Sequence, residues 1–147
     1  MVSNLRKPIN WKGQRPEAFD IVACYYPETK PKGELRLRPC LILDVFEDEE
    51  TGEYFCLVTN GTRTLKISQR LKLDIIIQKS AHLDEMGLPY ATRFALDDDN
   101  IVMLPWNEEF FGCWRGYRTP QISYLMETYQ RQYAYIMALR QVARREG

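Results

Sequence analysis

The sequence lacks features that would place it in a membrane or give it a strong charge of one sign. No apolar stretch among its 147 residues approaches the length that spans a bilayer, and residues 1–7 lack the apolar segment of a secretion signal. Its 20 basic and 20 acidic residues cancel, so any nucleic-acid partner must be held by a local basic patch. We expect a cytoplasmic protein with no membrane partner.

The number of histidines and the spacing of the cysteines limit the available chemistry. The single histidine, His82, excludes a catalytic pair of imidazoles, so we interpret it as structural. The four cysteines form no C-x-x-C pair and no Cys/His set at zinc spacing, and three of them lie inside predicted strands. Residues 97–108 partly match a calcium loop, but Val102 stands where that loop requires glycine. We predict no metal site and no cofactor.

Alternating apolar residues and turn residues predict a mainly β domain with short helices. The predicted strands cover residues 19–25, 40–46, 54–59, 71–78, 91–96 and 100–104. The polar residues 47–53 suit a hairpin connection. Ser80 predicts the cap of a short helix that ends at Gly87, and Asn107 predicts the cap of a helical turn. Short strands at close spacing favour a small, strongly bent β-barrel.

The C-terminal region has a different pattern, with apolar residues at helical spacing. These residues are Ile122, Leu125, Met126, Tyr129, Tyr133, Ile136 and Met137. We predict one helix from Ile122 to Arg144, packed on the barrel or on a partner subunit. A basic, RNA-facing or partner-facing arm is the alternative. The chain is thus divided into an N-terminal arm (1–18), a β-barrel (19–112) and a C-terminal helical extension (113–147).

Candidate functional residues lie at the ends of two neighbouring strands. Arg38 and Pro39 open the second predicted strand, and Asn60-Gly61-Thr62-Arg63 follows the third. Antiparallel pairing brings the start of one strand near the end of the next, so we expect Arg38 and Thr62 to face each other. A guanidinium and a hydroxyl on one rim suit a phosphodiester. Further phosphate contacts are predicted for Lys30, Lys32, Arg36 and Arg63.

Simpler interpretations of the same residues stay open. Arg38 alone fits a surface charge, Thr62 after a glycine fits a turn, and the basic loop fits a solvated face. Residues 114–118 interleave aromatics with arginine, which suits base stacking, although a core or interface role explains the aromatics as well. The order and spacing of the segments are therefore stronger evidence for a function than any single segment.

Taken in order, these segments resemble the MazF/PemK-like growth-inhibitor toxins. The resemblance covers roughly residues 19–111, with Asp20-Ile21-Val22, Arg38-Pro39-Cys40-Leu41-Ile42-Leu43, Val58-Thr59-Asn60-Gly61-Thr62, Gly87-Leu88-Pro89-Tyr90-Ala91-Thr92-Arg93-Phe94 and Leu104-Pro105-Trp106. The chain departs from the pattern at Phe19, where the family has glycine, and at Arg63, where many members have a small hydroxyl residue. Its C-terminal helix is also longer than the family core.

The resemblance implies an SH3-like β-barrel, commonly a homodimer, that cleaves single-stranded RNA without metal. An antitoxin protein holds such toxins inactive. By position in the motif, the catalytic residues would be Arg38 and Thr62. The main alternative is a non-catalytic SH3-like module that binds nucleic acid or protein through the same rim. A third hypothesis is an interaction protein whose main surface is the C-terminal helix.

Overall fold

The computed structural model describes residue 11 and residues 15–27, 36–63, 65 and 73–146. Within these residues the fold is mainly β with a C-terminal helix, as predicted. The strands are β1 Asp20–Cys24, β2 Arg38–Glu47, β3 Tyr54–Thr62, β4 Ile75–Ile77, β5 Thr92–Phe94, β6 Ile101–Pro105 and β7 Gln121–Tyr124. The helices are α1 Ser80–Glu85 and α2 Glu127–Glu146.

The strands form one antiparallel sheet in the order β4-β5-β3-β2-β1-β7, with β6 also paired to β3. Strand β3 shares one edge between two neighbours: residues 55–59 pair with β6, and Gly61 and Thr62 pair with β5. A strand that changes partner along its length must bend the sheet. The result is a curled half-barrel.

The three central strands are buried on both faces, so two apolar clusters form the core. On one face, Ile21, Leu41 and Leu43 pack with residues of β4 and β5. On the other face, Val22, Cys24, Cys40, Ile42, Cys56 and Val58 pack with Trp106 and Phe111. Side chains of a strand alternate between faces, and these strands carry apolar residues at consecutive positions. Burial on both faces therefore explains why the sequences of β1 and β2 are continuous hydrophobic runs.

The predicted hairpin at residues 47–53 is confirmed. The Gly52 N–H donates to the Asp48 carbonyl at 2.7 Å, and the Asp48 N–H donates to the Glu53 carbonyl at 2.8 Å. Gly52 has φ of +73°, a conformation that glycine adopts without steric cost. The turn therefore fixes the register of β2 against β3 as far as the pair Asp44 and Leu57, and between Ile42 and Asp44 the register shifts by one residue.

The predicted start of the C-terminal helix at Ile122 is wrong. Residues 121–124 form β7, which pairs with β1, and α2 begins at Glu127. The outer edge of β1 would otherwise present unpaired N–H and C=O groups, and β7 satisfies them. The helix-like spacing continues across this boundary because Ile122, Leu125 and Met126 all pack against the same core cluster.

Several other predicted boundaries shift. Strand β2 begins at Arg38, so Pro39 is its second residue, and β3 continues through Gly61 to Thr62. Ser80 is the first residue of α1 and makes no capping bond; Lys79 holds the cap position, so the prediction for Ser80 is wrong. Gly87 does end this helical segment, with φ of +64°. The side chain of Asn107 caps a turn by accepting from the Glu109 N–H at 2.9 Å.

Helix α2 packs its predicted apolar stripe against the sheet. Tyr129 and Ile136 are buried, and Tyr133 and Met137 pack beside them. The Tyr133 ring meets the Phe19 ring edge-on, with centroids 5.4 Å apart. His82, for which a structural role is predicted, has its Nδ1 2.6 Å from the Tyr129 hydroxyl, a contact that joins α1 to α2. Neither helix of the described residues combines the length and apolar character needed to cross a membrane.

Truncating the buried stripe should destabilise the protein. We expect Ile136→Ala to lower the free energy of unfolding by about 2–5 kcal/mol, because Ile136 is buried and its loss leaves a cavity. Gln132→Ala, at an exposed position of the same helix, should change it by less than about 0.5 kcal/mol. Urea unfolding checks both values. Equal effects would contradict the packing of α2 on the sheet.

Candidate active site

The register of the central strands brings Arg38 and Thr62 to the same row of the sheet. Cys40 of β2 pairs with Asn60 of β3, and continuing this antiparallel register by two residues places Arg38 opposite Thr62. Thr62 pairs in turn with Arg93 of β5. We call Arg38, Thr62 and Arg93 the rim row. The expectation that Arg38 and Thr62 face each other agrees with this register.

Gly61 allows the strands to approach closely beside the rim row. A Cβ atom at this position would lie 2.5 Å from the Pro39 carbonyl oxygen and 2.9 Å from side-chain atoms of Phe94 and Thr92. No side chain fits at that distance, so only glycine permits this packing. Gly61 and Thr62 are therefore strand residues, and the interpretation of Thr62 as a turn residue is wrong.

The rim row continues one buried face of the sheet toward the surface. Cys40 and Val58 lie in the cluster around Trp106, and by alternation Arg38 and Thr62 share their face. In the next row on this face, the Cys40 thiol donates to the Asn60 side-chain oxygen at 3.8 Å. Arg38 and Thr62 are half-buried. A phosphate bound there would meet polar groups above an apolar floor.

Arg93 is a member of the rim row that sequence reasoning assigned no role. Its guanidinium lies 2.7 Å from the Asp74 carboxylate, and both side chains are largely buried. Asp74 also accepts from the Leu96 N–H at 3.3 Å. One signal was present in the sequence: a charged residue between the strand residues Thr92 and Phe94 requires a partner. Asp74 directly precedes the Ile75–Ile77 strand, but the sequence alone does not show that β4 and β5 pair.

Arg63 follows Thr62 and stacks on an aromatic ring. Its guanidinium carbon lies 4.0 Å from the centroid of the Tyr90 ring, a close cation–π contact. Arg63 itself is exposed and Tyr90 is half-buried. The contact holds the Arg63 guanidinium over the Tyr90 ring.

The other predicted phosphate-binding residues are placed only in part. Arg36 is exposed, two residues before the start of β2, so it lies next to Arg38 along the chain. Lys30 and Lys32 lie outside the described residues. The aromatic and arginine segment at 114–118 forms a surface turn, in which the Tyr117 N–H donates to the Trp114 carbonyl at 2.9 Å. Tyr117 is exposed there.

The thiols of Cys24 and Cys56 are poor nucleophiles. A hydrogen bond with Cys40, together with burial, raises the pKa of the Cys24 thiol far above its ordinary value. Burial raises the pKa of Cys56 to about 12. Because thiolate is the reactive form, both thiols stay neutral and inert at pH 7. We conclude that Cys24 and Cys56 serve as small apolar core residues.

The rim row has the components of a phosphate-binding site. Arg38 brings a planar guanidinium that can hold two phosphate oxygens at once, and Thr62 brings a hydroxyl that can donate or accept. Asp74 compensates the charge of Arg93 and fixes its position. The arrangement therefore suits an anionic ligand with several oxygens. It provides charge stabilisation and orientation, which are the requirements of phosphoryl chemistry.

Adding a methyl group at Gly61 should force the strands apart. We expect Gly61→Ala to lower the free energy of unfolding by about 1–3 kcal/mol, since the new Cβ would meet the Pro39 backbone at 2.5 Å. Gly112→Ala is a matched control, because its Cβ would meet only side-chain atoms, at 3.1 Å or more. Urea unfolding measures both. A smaller loss for Gly61→Ala than for Gly112→Ala would contradict this geometry.

Comparison with known proteins adds no family to this description. The chain matches no protein-family model, and no curated protein matches it at a significant level. A functional proposal therefore rests on the rim row and on the sequence pattern that surrounds it.

Proposed function

We propose that this protein is a toxin-like endoribonuclease that cleaves single-stranded RNA without a metal ion. The observation that carries the proposal is the rim row, in which the register places Arg38 opposite Thr62 and pairs Thr62 with Arg93. The order of sequence segments that resembles the MazF/PemK-like toxins supports the same function. An SH3-like barrel belongs to this proposal, and the curled antiparallel sheet supports it.

The proposed reaction is attack by the 2′-hydroxyl on the adjacent phosphorus. The 2′-hydroxyl loses its proton to water, the 2′-oxygen forms a bond to phosphorus, and the bond from phosphorus to the 5′-oxygen breaks. The 5′-oxygen takes up a proton from water and leaves as a 5′-hydroxyl, and a 2′,3′-cyclic phosphate remains. Negative charge builds on the non-bridging oxygens in the transition state. The guanidinium of Arg38 stabilises this charge with two parallel hydrogen bonds. Because the guanidinium is planar, its donors already have the geometry for these bonds, so little rearrangement is needed in the transition state.

The neighbours of Arg38 have orienting roles in this proposal. The Thr62 hydroxyl donates to a non-bridging oxygen and so fixes the scissile phosphate relative to the attacking group. Arg93 is a positioning residue, because its bond to Asp74 holds β5 and β4 in place beside Thr62. Arg63, Arg36, Lys30 and Lys32 bind flanking phosphates of the RNA strand.

The protein is proposed to act in the cytoplasm as a homodimer that an antitoxin protein neutralises. Its buried free cysteines, Cys24, Cys40 and Cys56, suit a reducing compartment. Helix α2 carries a second apolar stripe on its outer face, with Tyr135, Leu139 and Val142 exposed by 65%, 43% and 51%. Their spacing of four and three residues places them on one side of the helix, where a second copy would cover them.

Removal of the Arg38 guanidinium should abolish most of the activity. We expect Arg38→Ala to slow cleavage of a fluorescently labelled single-stranded RNA by about a hundredfold or more, in buffer with a chelator. Arg38→Lys should recover only part of the rate, because an ammonium does not provide the bidentate fork. Arg131→Ala is the control, since Arg131 is exposed on α2 and pairs with Glu127. Initial rates from denaturing gels give the comparison.

The substrate itself provides a second test of the mechanism. An RNA with a single 2′-deoxy nucleotide at the cleavage site should bind and stay intact, because the attacking hydroxyl is missing. Full activity of Arg38→Ala, or cleavage at the 2′-deoxy position, would refute the proposed reaction. Binding of RNA without any cleavage by the wild-type protein would instead support the alternative of a non-catalytic module.

The dimer is tested by mass. We expect light scattering to give about twice the chain mass of 17.4 kDa at micromolar concentration. Leu139→Glu with Val142→Glu should reduce the mass to one chain, because charges cannot be buried unpaired in an apolar interface. Ala134→Glu is the control, because Ala134 is exposed on a different side of α2. A wild-type mass of one chain over a wide concentration range would refute the dimer.

A further inference from the structure

A cleft of about 380 Å³ lies between α2 and the sheet. Its apolar walls come from Leu43 and Leu57 of the central strands, Ile101 of β6, and Tyr133 and Met137 of α2. These residues belong to or pack against the core cluster that α2 covers. The rim row lies on the opposite face of the sheet, so this cleft is separate from the proposed active site.

The polar side of the cleft contains Asp98, Gln141 and two arginines, one fixed and one exposed. Arg140 donates from one nitrogen to the Leu96 carbonyl and from the other to the Asp98 carboxylate at 2.9 Å, and its side chain is 18% exposed. Arg144 lies 3.9 Å from the second oxygen of Asp98, at the limit of an ion pair, and is 69% exposed. Asp98 therefore already compensates Arg140. Arg144 can turn toward an anion in the cleft without breaking a close contact.

The volume and lining define the kind of molecule that fits. Ligand sites have volumes of about 300–1,000 Å³ and combine apolar walls with a few polar groups. The cleft, at about 380 Å³, lies near the lower end of this range. The apolar walls disfavour a purely polar ligand, and the single adaptable guanidinium favours one anionic group. A carboxylate accepts two hydrogen bonds from a guanidinium.

We propose that this cleft binds an amphipathic carboxylate, with its apolar body against Leu57 and Met137 and its carboxylate at Arg144. The ligand bridges α2 and the sheet, so binding stabilises the docked position of the helix. A molecule that binds the folded protein alone raises the melting temperature by mass action. This site is independent of RNA cleavage, and its test needs no catalytic activity.

The experiment titrates the full-length protein with octanoate and, separately, with 1-octanol, a neutral molecule of the same chain length. We expect octanoate to raise the melting temperature and to shift the NMR signal of the Met137 methyl group. The methyl group of Met86, which is buried in the same core cluster but does not line the cleft, should not shift. In Arg144→Gln, octanoate should bind about fivefold more weakly while 1-octanol binds as in the wild type.

Arg145→Gln is the matched control, because Arg145 is exposed on the same helix but does not line the cleft. It should bind octanoate like the wild type. Absence of a Met137 shift at millimolar octanoate would overturn the proposal. So would equal weakening in Arg144→Gln and Arg145→Gln, or shifts of Met86 as large as those of Met137, because each result would indicate nonspecific association.

Discussion

The pairing of β2 with β3, buried on both faces, is the constraint on which the rest of the structure depends. One face of this pair packs with β4, β5 and α2, and the other packs with Trp106 and Phe111. A slip of one residue in the register would send each side chain to the other cluster and would separate Arg38 from Thr62. The tight turn at Gly52 and the close contact at Gly61 oppose such a slip from both ends of the pair.

Much of the fold could be predicted from local patterns. The central strands and their hairpin were predicted because apolar runs and turn residues encode them within a few positions. The segment at 121–124 was misassigned because its apolar residues fit the helical spacing that follows. What makes it a strand is the unpaired edge of β1, about a hundred residues earlier in the sequence. A constraint that arises from such a distant partner leaves no local signal.

In the candidate site, too, some residues could be predicted from local sequence patterns and others could not. Arg38 and Thr62 were predicted as neighbours because consecutive antiparallel strands bring known ends together. The contribution of Arg93 and Asp74 was missed because it depends on β5 pairing with both β3 and β4. The stacking of Arg63 on Tyr90 depends on the same non-local arrangement. The sequence therefore predicted Arg38 and Thr62, which the hairpin brings together, but gave no role to Arg93 and Asp74, which the curl of the sheet brings together.

The pairing of β7 with β1 also fixes the order in which the sheet can be completed. Strand β1 ends at Cys24, but its outer partner begins at Gln121. During synthesis at about 5–20 residues per second, roughly 100 residues separate the two strands, which corresponds to about 5–20 s. Throughout that interval the outer edge of β1 has open backbone donors and acceptors that can pair with another nascent chain. Co-translational aggregation, rather than loss of the finished fold, is thus the hazard that this topology creates.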